Sequence, residues 1–312
     1  MSHKSIKRIQ KDIKLYHQSD INTHGIYVHF NDKNLFNAKA LIIGPKETPY
    51  QNGFYLFDIN YTENYPQTPP KVVLCTLNKH TRFNPNLYTN GKVCLSILGT
   101  WSGPGWTPCL STNEVLLSIQ SLLNNNPIQN EPGYEQLTPE DSEPARSYVN
   151  ILEYHNHLIA IHQMINQLPQ AFECFRERIE TKFLELYEEN ISSIQYLINQ
   201  VALNNSKQYL RMYNLTAVLN YSDILNEYMR LYEILSHKYK LLDNKKKSEA
   251  EKKIENISTE TTKVASKKRV PNTLASQCDI GYTTTSENDG RQYIIKLVKG
   301  SGNKEYKRWI IV

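Results

Sequence analysis

An α+β fold is predicted from three features of the chain, taken in order. A basic stretch with helical periodicity comes first. Four short apolar runs joined by turn residues follow, and then several longer stretches with helical spacing and cap signals. Strands grouped before helices suit a sheet with helices at its ends rather than an alternating α/β layout. At 312 residues the chain can bury a full core, with room for one large domain and an extension or for two modest domains.

The first helix is read from Ile6, Ile9, Ile13 and Tyr16, which recur three to four apart as one apolar stripe. Lys4, Lys7, Arg8, Lys11 and Lys14 fill most of the remaining surface. Such a face is ordinarily a solvated one, and it also suits docking to an acidic partner. Next come "GIYVHF", "NAKALIIGP", "GFYLFDINY" and "KVVLCT", rich in β-branched and aromatic residues and bounded by Gly, Pro and Asn. Their short links predict a four-stranded antiparallel meander. "YPQTPPK" carries Pro66, Pro69 and Pro70 and reads as a stiff extended link.

From Phe83 to Pro108 no regular period runs, and loops of that length are functional or disordered. Two tryptophans and the apolar "VCLSIL" argue for order. A helix starts at "STNEVLLSIQSLL", where Ser111 and Glu114 have capping-box spacing. A second start signal is "TPED", with Thr138 as cap and Pro139 in the first turn, ahead of "SYVNILEYHNHLIAIHQMINQL". Pro169 punctuates it. "AFECFRERIETKFLELYEENISSIQYLINQ" places Phe172, Phe175, Ile179, Phe183 and Leu186 in helical register, and "SDILNEYMRLYEILSHKYKLL" opens at Ser222.

After Leu242 the chain turns charged and poor in large apolar residues, the mark of a linker or a frayed helix. "RQYIIKLVKG" and "YKRWIIV" are strand-like and suit a small hairpin. The expected organisation is a core over 1–168, a helical extension over 169–242, a charged linker over 243–270 and a tail over 271–312.

Composition narrows the function. The five cysteines are odd in number and widely spaced, so no disulfide framework is expected, and no Cys/His set has zinc spacing. A net charge of +5 is too mild for a dedicated nucleic-acid binder. Mean hydropathy is −0.56 and no apolar run approaches the ~18 residues that span a bilayer. The basic start lacks the apolar region of a secretory signal, so a cytoplasmic or nuclear protein is expected.

Cys94 is the residue that asks for an explanation. A lone cysteine is most often a small core residue. This one sits in the irregular segment, where working residues concentrate. Asn86 lies eight positions upstream, behind a proline in "NPN". A turn-held amide of that kind serves to donate to a developing oxyanion, or it simply caps the turn.

Taken together, the order of these motifs resembles the ubiquitin-conjugating (E2) enzymes. The resemblance rests on the basic first helix, "GPKETPYQNGFYLFDINYTENYPQTPPKV", "NPNLYTNGKVCLSIL", a Trp-Ser/Thr-Pro loop and a Leu-rich helix. "VCLSILGTWSGPGWTP" with "NEPGYE" is similar to the Z-type members and to the E2 domains of very large hybrid E2/E3 proteins. It spans residues 1–135 strongly, fades towards 200 and covers nothing beyond.

The resemblance implies a UBC-like fold: an N-terminal helix, a four-stranded meander, an active-site loop and C-terminal helices, here with a helical extension. It implies that Cys94 carries a thioester to the modifier and that Asn86 supports the oxyanion or the loop. Asn84 stands where many members have His, and Ser96 where many have Asp. Asn130 and Glu131 are both candidates for the group that assists the attacking lysine. Lys7, Arg8 and Lys11 match the face that docks the activating enzyme (E1). Pro108 and Cys109 match the loop that contacts E3 ligases, and Gln67 replaces an aromatic that several members use for RING ligands. Trp101 and Trp106 lengthen that loop and either meet a partner or pack on the body.

The implied activity is transfer of ubiquitin or a ubiquitin-like modifier from E1 to a lysine amine or an E3 ligase. No metal or organic cofactor is expected, nor a nucleic acid or a membrane span. A non-catalytic E2-like binding module and a scaffold led by the helical C-terminal part are the alternatives.

Overall fold

The computed structural model describes residues 3–200, 205–265, 271, 274–287, 290–299 and 305–312, with the backbone alone over 245–265. It divides into two compact units, Met1–His237 and Lys238–Val312.

In the first unit helix α1 (His3–Gln18) is followed by strands β1 (Ile26–Phe30), β2 (Asn37–Ile43), β3 (Phe54–Asn60) and β4 (Lys71–Leu74). The strands form an antiparallel sheet in the order β1-β2-β3-β4, the expected meander. Register runs through Val28↔Ala40, Ala40↔Phe57 and Ile59↔Val72. Ala40, Phe57 and Ile59 are fully buried, as befits central positions on the two middle strands. A long irregular segment links β4 to helix α2 (Thr112–Gln120). Its start is fixed by the expected box: the Ser111 hydroxyl accepts from the Asn113 N–H at 3.2 Å, and Glu114 Oε2 accepts from the Ser111 N–H at 2.6 Å.

Helix α3 (Glu143–His155) continues through a π-helical stretch (Asn156–Gln163) into a last turn, α4 (Met164–Asn166). The cap expected at Thr138 is in fact Ser142, whose hydroxyl accepts from the Ala145 N–H, with Pro144 in the first turn. Thr138 instead donates to Asp141 and closes a turn before the helix. Two Ser/Thr–Pro signals lie five residues apart here, and only the second leads directly into the apolar period. Helices α5 (Arg176–Glu185) and α6 (Tyr187–Asn199) follow.

A hairpin that the periodicity did not predict comes next: β5 (Lys207–Leu210), a short 3₁₀ turn (Arg211–Tyr213) and β6 (Leu215–Val218). Asn214 makes the turn in the left-handed region at φ 48°. Helix α7 (Tyr221–Ala265) starts one residue before Ser222, with Asn220 Oδ1 accepting from the Asp223 N–H at 3.3 Å. Of the charged stretch over 243–270, expected as a linker or a frayed helix, the residues to Ala265 continue this helix, and 266–270 lie outside the described residues.

Residues 169–237 do not form a core of their own. Phe172, Phe183, Leu215 and Tyr228 belong to the same hydrophobic cluster as Ile9, Phe57 and Val115. The second unit carries strands β7 (Thr283–Thr285), β8 (Gln292–Lys299) and β9 (Glu305–Ile311) in one antiparallel sheet around Tyr293, Ile295 and Trp309. Among the described residues no helix is long and apolar enough to cross a membrane.

α1 is held to the rest by a buried charge. Asp12 lies on the inner face of the helix, beside Ile9 and Tyr16, with its side chain fully buried. Arg8 Nε donates to Asp12 Oδ1 at 2.8 Å, and the Arg8 guanidinium also donates to the carbonyls of Pro108 and Leu110. Asp12 Oδ2 accepts from the Tyr65 hydroxyl, and from the Thr112 N–H and Oγ1 at 3.3 Å each. One carboxylate thereby joins α1, the proline-rich link and the start of α2. Asp12→Ala should destabilise the fold by about 3 kcal/mol or more, because it strands a partly buried guanidinium and three further donors. Urea unfolding followed by circular dichroism measures this; a change under about 1 kcal/mol contradicts it.

Candidate active site

The loop between β4 and α2 is built around two asparagines. Asn84 is completely buried. Its amide N–H donates to the Leu122 carbonyl, just past α2, at 2.8 Å, and its Oδ1 accepts from the Asn86 N–H at 2.9 Å. The Leu87 N–H returns to the Asn84 carbonyl at 2.8 Å and closes the turn around Pro85. Behind it the Tyr50 hydroxyl donates to the Phe83 carbonyl, and the Tyr55 ring meets Phe83 edge-on. The turn is fixed from both sides before Asn86 is reached.

Asn86 then takes up both backbone groups of Cys94. The Cys94 N–H donates to the Asn86 carbonyl at 2.8 Å, and Asn86 Nδ2 donates to the Cys94 carbonyl at 2.8 Å. On the approach, Gly91 adopts φ 87°, where a Cβ would stand 2.7 Å from the Leu74 carbonyl oxygen. Only glycine lets the segment lie against β4 there. Beyond Cys94, the Thr100 hydroxyl accepts from the Leu95 N–H at 3.0 Å and donates to the Val93 carbonyl at 2.7 Å. Cys94 is 1% exposed, while Cys109 and Cys174 are exposed. Val93 and Leu98, on either side of it, line an open cleft of about 700 Å³ with Val73, Lys92 and Thr100.

The two candidate helpers of the lysine separate. Asn130 ends a 3₁₀ turn (Pro127–Asn130), and its amide donates to Asn84 Oδ1 at 3.3 Å and to the Leu122 carbonyl at 3.5 Å. It is consumed in holding the asparagine turn. Glu131 is half-buried, and its Oε2 accepts from the Tyr213 hydroxyl at 2.6 Å. Tyr213 belongs to the unpredicted hairpin. Its ring lies 4.4 Å from the Arg82 guanidinium, which is also 3.9 Å from the Tyr88 ring. Burial, then the bond to Glu131, pushes the Tyr213 phenol up, so it stays a donor. His155, which meets the Thr81 hydroxyl at 3.0 Å, is pushed down to about 4 by burial and is neutral near pH 7.

The expected partner-facing residues divide too. Lys7 and Lys11 are exposed, whereas Arg8 is engaged with Asp12, Pro108 and Leu110. Trp101 is 41% exposed. Trp106 is half-buried on the body, with its indole N–H donating to the Pro66 carbonyl at 2.6 Å and its ring 5.8 Å from Tyr65. Gln67, Pro108 and Cys109 are exposed. Arg82, Tyr88 and Tyr213 escaped the reading of the sequence. Nothing local marks Tyr213, since Glu131 and Arg82 lie more than eighty residues upstream. The alternation of buried Leu215, Ala217 and Leu219 with exposed Thr216 and Val218 was the one available sign of its hairpin.

Residues 8–155 match the family described as "Ubiquitin-conjugating enzyme". Among similar proteins is "Ubiquitin-conjugating enzyme E2 Z" of Xenopus tropicalis, 40% identical over 188 residues, covering 60% of this chain and 59% of that protein. The Homo sapiens protein of the same name is 42% identical over 183 residues, covering 58% of this chain and 50% of its own length. The Homo sapiens "Dual E2 ubiquitin-conjugating enzyme/E3 ubiquitin-protein ligase BIRC6" is 42% identical over 166 residues, covering 51% of this chain and 3% of that protein. This chain therefore spans only part of each of these relatives.

Asn86→Ala should destabilise the protein by about 1–3 kcal/mol, since the Cys94 carbonyl loses its amide donor in a buried setting. The denaturation midpoint in urea measures it. An unshifted midpoint would mean that the amide does not hold the loop.

Proposed function

Residues 8–155 belong to the ubiquitin-conjugating enzyme family, and from that premise we propose that the chain is an E2 carrier with Cys94 as its acyl acceptor. In this reading the Cys94 thiolate attacks the carbonyl of a modifier held as a thioester on the activating enzyme. A C–S bond forms to Cys94, the C–S bond to the activating enzyme breaks, and that enzyme's thiolate leaves. The thiolate is the attacking form, and exchange with an already activated thioester needs no strong base. The second step forms a C–N bond to a lysine amine, breaks the C–S bond to Cys94 and releases one proton from the nitrogen. The lysine, with a pKa of ~10.4, must be deprotonated first, and this is where the protein has more to supply. The modifier is ubiquitin or a ubiquitin-like protein, and the acceptor is a substrate lysine or an E3 ligase. ATP is spent upstream, and neither step needs a metal or an organic cofactor.

The observation that carries this reading is the mutual hydrogen bonding of Asn86 and Cys94, which fixes one cysteine of five in an irregular loop. That tie sets where Cys94 sits, between Val93 and Leu98 at the lining of the open cleft. Asn86 supports the loop in the resting enzyme, and its amide is already beside the carbonyl it would have to leave to reach an oxyanion. Glu131, rather than Asn130, is the group we assign to the attacking lysine, because the Asn130 amide is spent on Asn84 and Leu122. The carrier core is residues 1–168. Residues 169–242 are an extension, with residues such as Phe172, Phe183 and Tyr228 in the same apolar cluster as the core, 243–270 a charged connection and 271–312 a tail. Cytoplasm or nucleus is the compartment this reading implies.

With an activating enzyme, ATP and ubiquitin or a ubiquitin-like protein, the chain should give a band that thiol reductant removes. Cys94→Ala should abolish it and Cys109→Ala should leave it. Loss of the band with Cys109→Ala alone would overturn the assignment, and no band with any modifier would overturn the function.

Lys7 and Lys11 are the exposed members of the set Lys7, Arg8 and Lys11 that docks the activating enzyme in this reading, and Trp101, Pro108 and Cys109 face the ligase. Lys7→Glu with Lys11→Glu should slow charging several-fold at low salt and leave discharge of pre-charged protein unchanged, because exposed charges act on encounter and are screened. Arg8 is best left intact in this test, since its loss unpairs Asp12. Charging at the wild-type rate at low salt would leave that face a merely solvated one.

A further inference from the structure

We propose that Tyr213, from the β5–β6 hairpin of the extension, is a positioning residue for Glu131 and so completes the lysine-accepting side of the active site. The inference rests on the carrier reading above and deepens it. Residues 207–218 lie beyond the stretch that matches the family, which ends at 155. The hairpin nonetheless delivers a side chain to the very carboxylate that the lysine step would use.

Three contacts fix that side chain. The hydroxyl donates to Glu131 Oε2 at 2.6 Å. The ring lies 4.4 Å from the Arg82 guanidinium, which is also 3.9 Å from the Tyr88 ring. The ring also meets Tyr148 edge-on, 5.6 Å between centroids. Tyr148 in turn donates its hydroxyl to the Arg82 carbonyl at 2.7 Å, so Arg82 is gripped at both ends. Arg82 lies two residues before Asn84, and its guanidinium donates to the Pro85 carbonyl within the asparagine turn. Tyr213 thus touches Arg82, which hydrogen-bonds the turn that holds Cys94, and the carboxylate next to Asn130, which itself hydrogen-bonds Asn84.

A carboxylate at a half-buried site samples several rotamers unless something holds it. A phenol that donates to one oxygen restricts those rotamers and leaves the other oxygen free for an incoming amine. Charge-assisted hydrogen bonds of this kind are short and strong for their class. Geometry of this sort matters to a step whose rate depends on where the proton acceptor stands relative to the nitrogen. It matters little to transthiolation, which needs no proton acceptor for an amine.

The test uses the full chain, charged with ubiquitin by an activating enzyme and ATP, then separated from both. Discharge is followed with free lysine and, in parallel, with hydroxylamine, a nucleophile that is already unprotonated at neutral pH. Tyr213→Phe removes the hydroxyl and keeps the ring on Arg82. It should charge at the wild-type rate and discharge to hydroxylamine at the wild-type rate, while discharge to lysine falls on the order of tenfold. Glu131→Gln should show the same split, and the double variant should be no slower than the slower single. A purely structural role for the hydroxyl would slow both nucleophiles alike and lower the melting temperature. Wild-type lysine discharge by Tyr213→Phe, equal slowing with both nucleophiles, or additive losses in the double variant would overturn the inference and leave the carrier reading standing. A wild-type chain that forms no thioester overturns both.

Discussion

The geometry at Cys94 depends on its reciprocal tie to Asn86. Two hydrogen bonds, N–H to carbonyl and amide to carbonyl, satisfy the whole backbone of one residue from one neighbour eight positions away. A buried backbone group left unpaired costs as much as a lost hydrogen bond, so the loop has few alternatives to this pairing. The tie is only as firm as Asn86, and Asn86 is set by Asn84. Asn84 is set in turn by Leu122 at the end of α2, and Asn130 backs it. The path from helix to cysteine is thus a chain of amides, and no hydrophobic contact alone would give it direction.

The second constraint is a single charge under α1. Asp12 gathers donors from Arg8, Tyr65 and Thr112, and Arg8 goes on to the carbonyls of Pro108 and Leu110. The end of the tryptophan loop is therefore anchored to the first helix, and Trp106 is pinned to Pro66 on the same side. Trp101 is left exposed at the other end of the loop. A buried carboxylate is costly unless it is fully hydrogen-bonded, and here the cost is met by contacts that also set the shape of the loop.

Much of this was legible from the residues. The meander followed from four β-rich runs with short links, and the α2 cap from Ser111 and Glu114, because both signals are local. The apolar stripe of α1 was legible as well, but Arg8 read as a surface charge and nothing singled out Asp12. Nothing in a helical period reveals that a carboxylate on the inner face has found three donors elsewhere in the chain. The Thr138 cap failed because two similar start signals compete within five residues. The hairpin at 207–218 failed because its strands are four residues each, too short to stand out from the helices around them. At the site, Cys94 and Asn86 were visible through their spacing and through the resemblance. Tyr213 was not, since what brings it to Glu131 is the packing of the extension into the shared core.

Which cysteine would take the acyl group in the proposed carrier is read directly by peptide mass mapping of the charged chain. The charged species is isolated without reductant at low pH, digested, and searched for the C-terminal remnant of the modifier. The remnant is expected on the peptide that contains Cys94, with Cys75, Cys109, Cys174 and Cys278 unmodified. A remnant on Cys109, or one spread over several cysteines, would contradict the claim that the asparagine turn selects its cysteine.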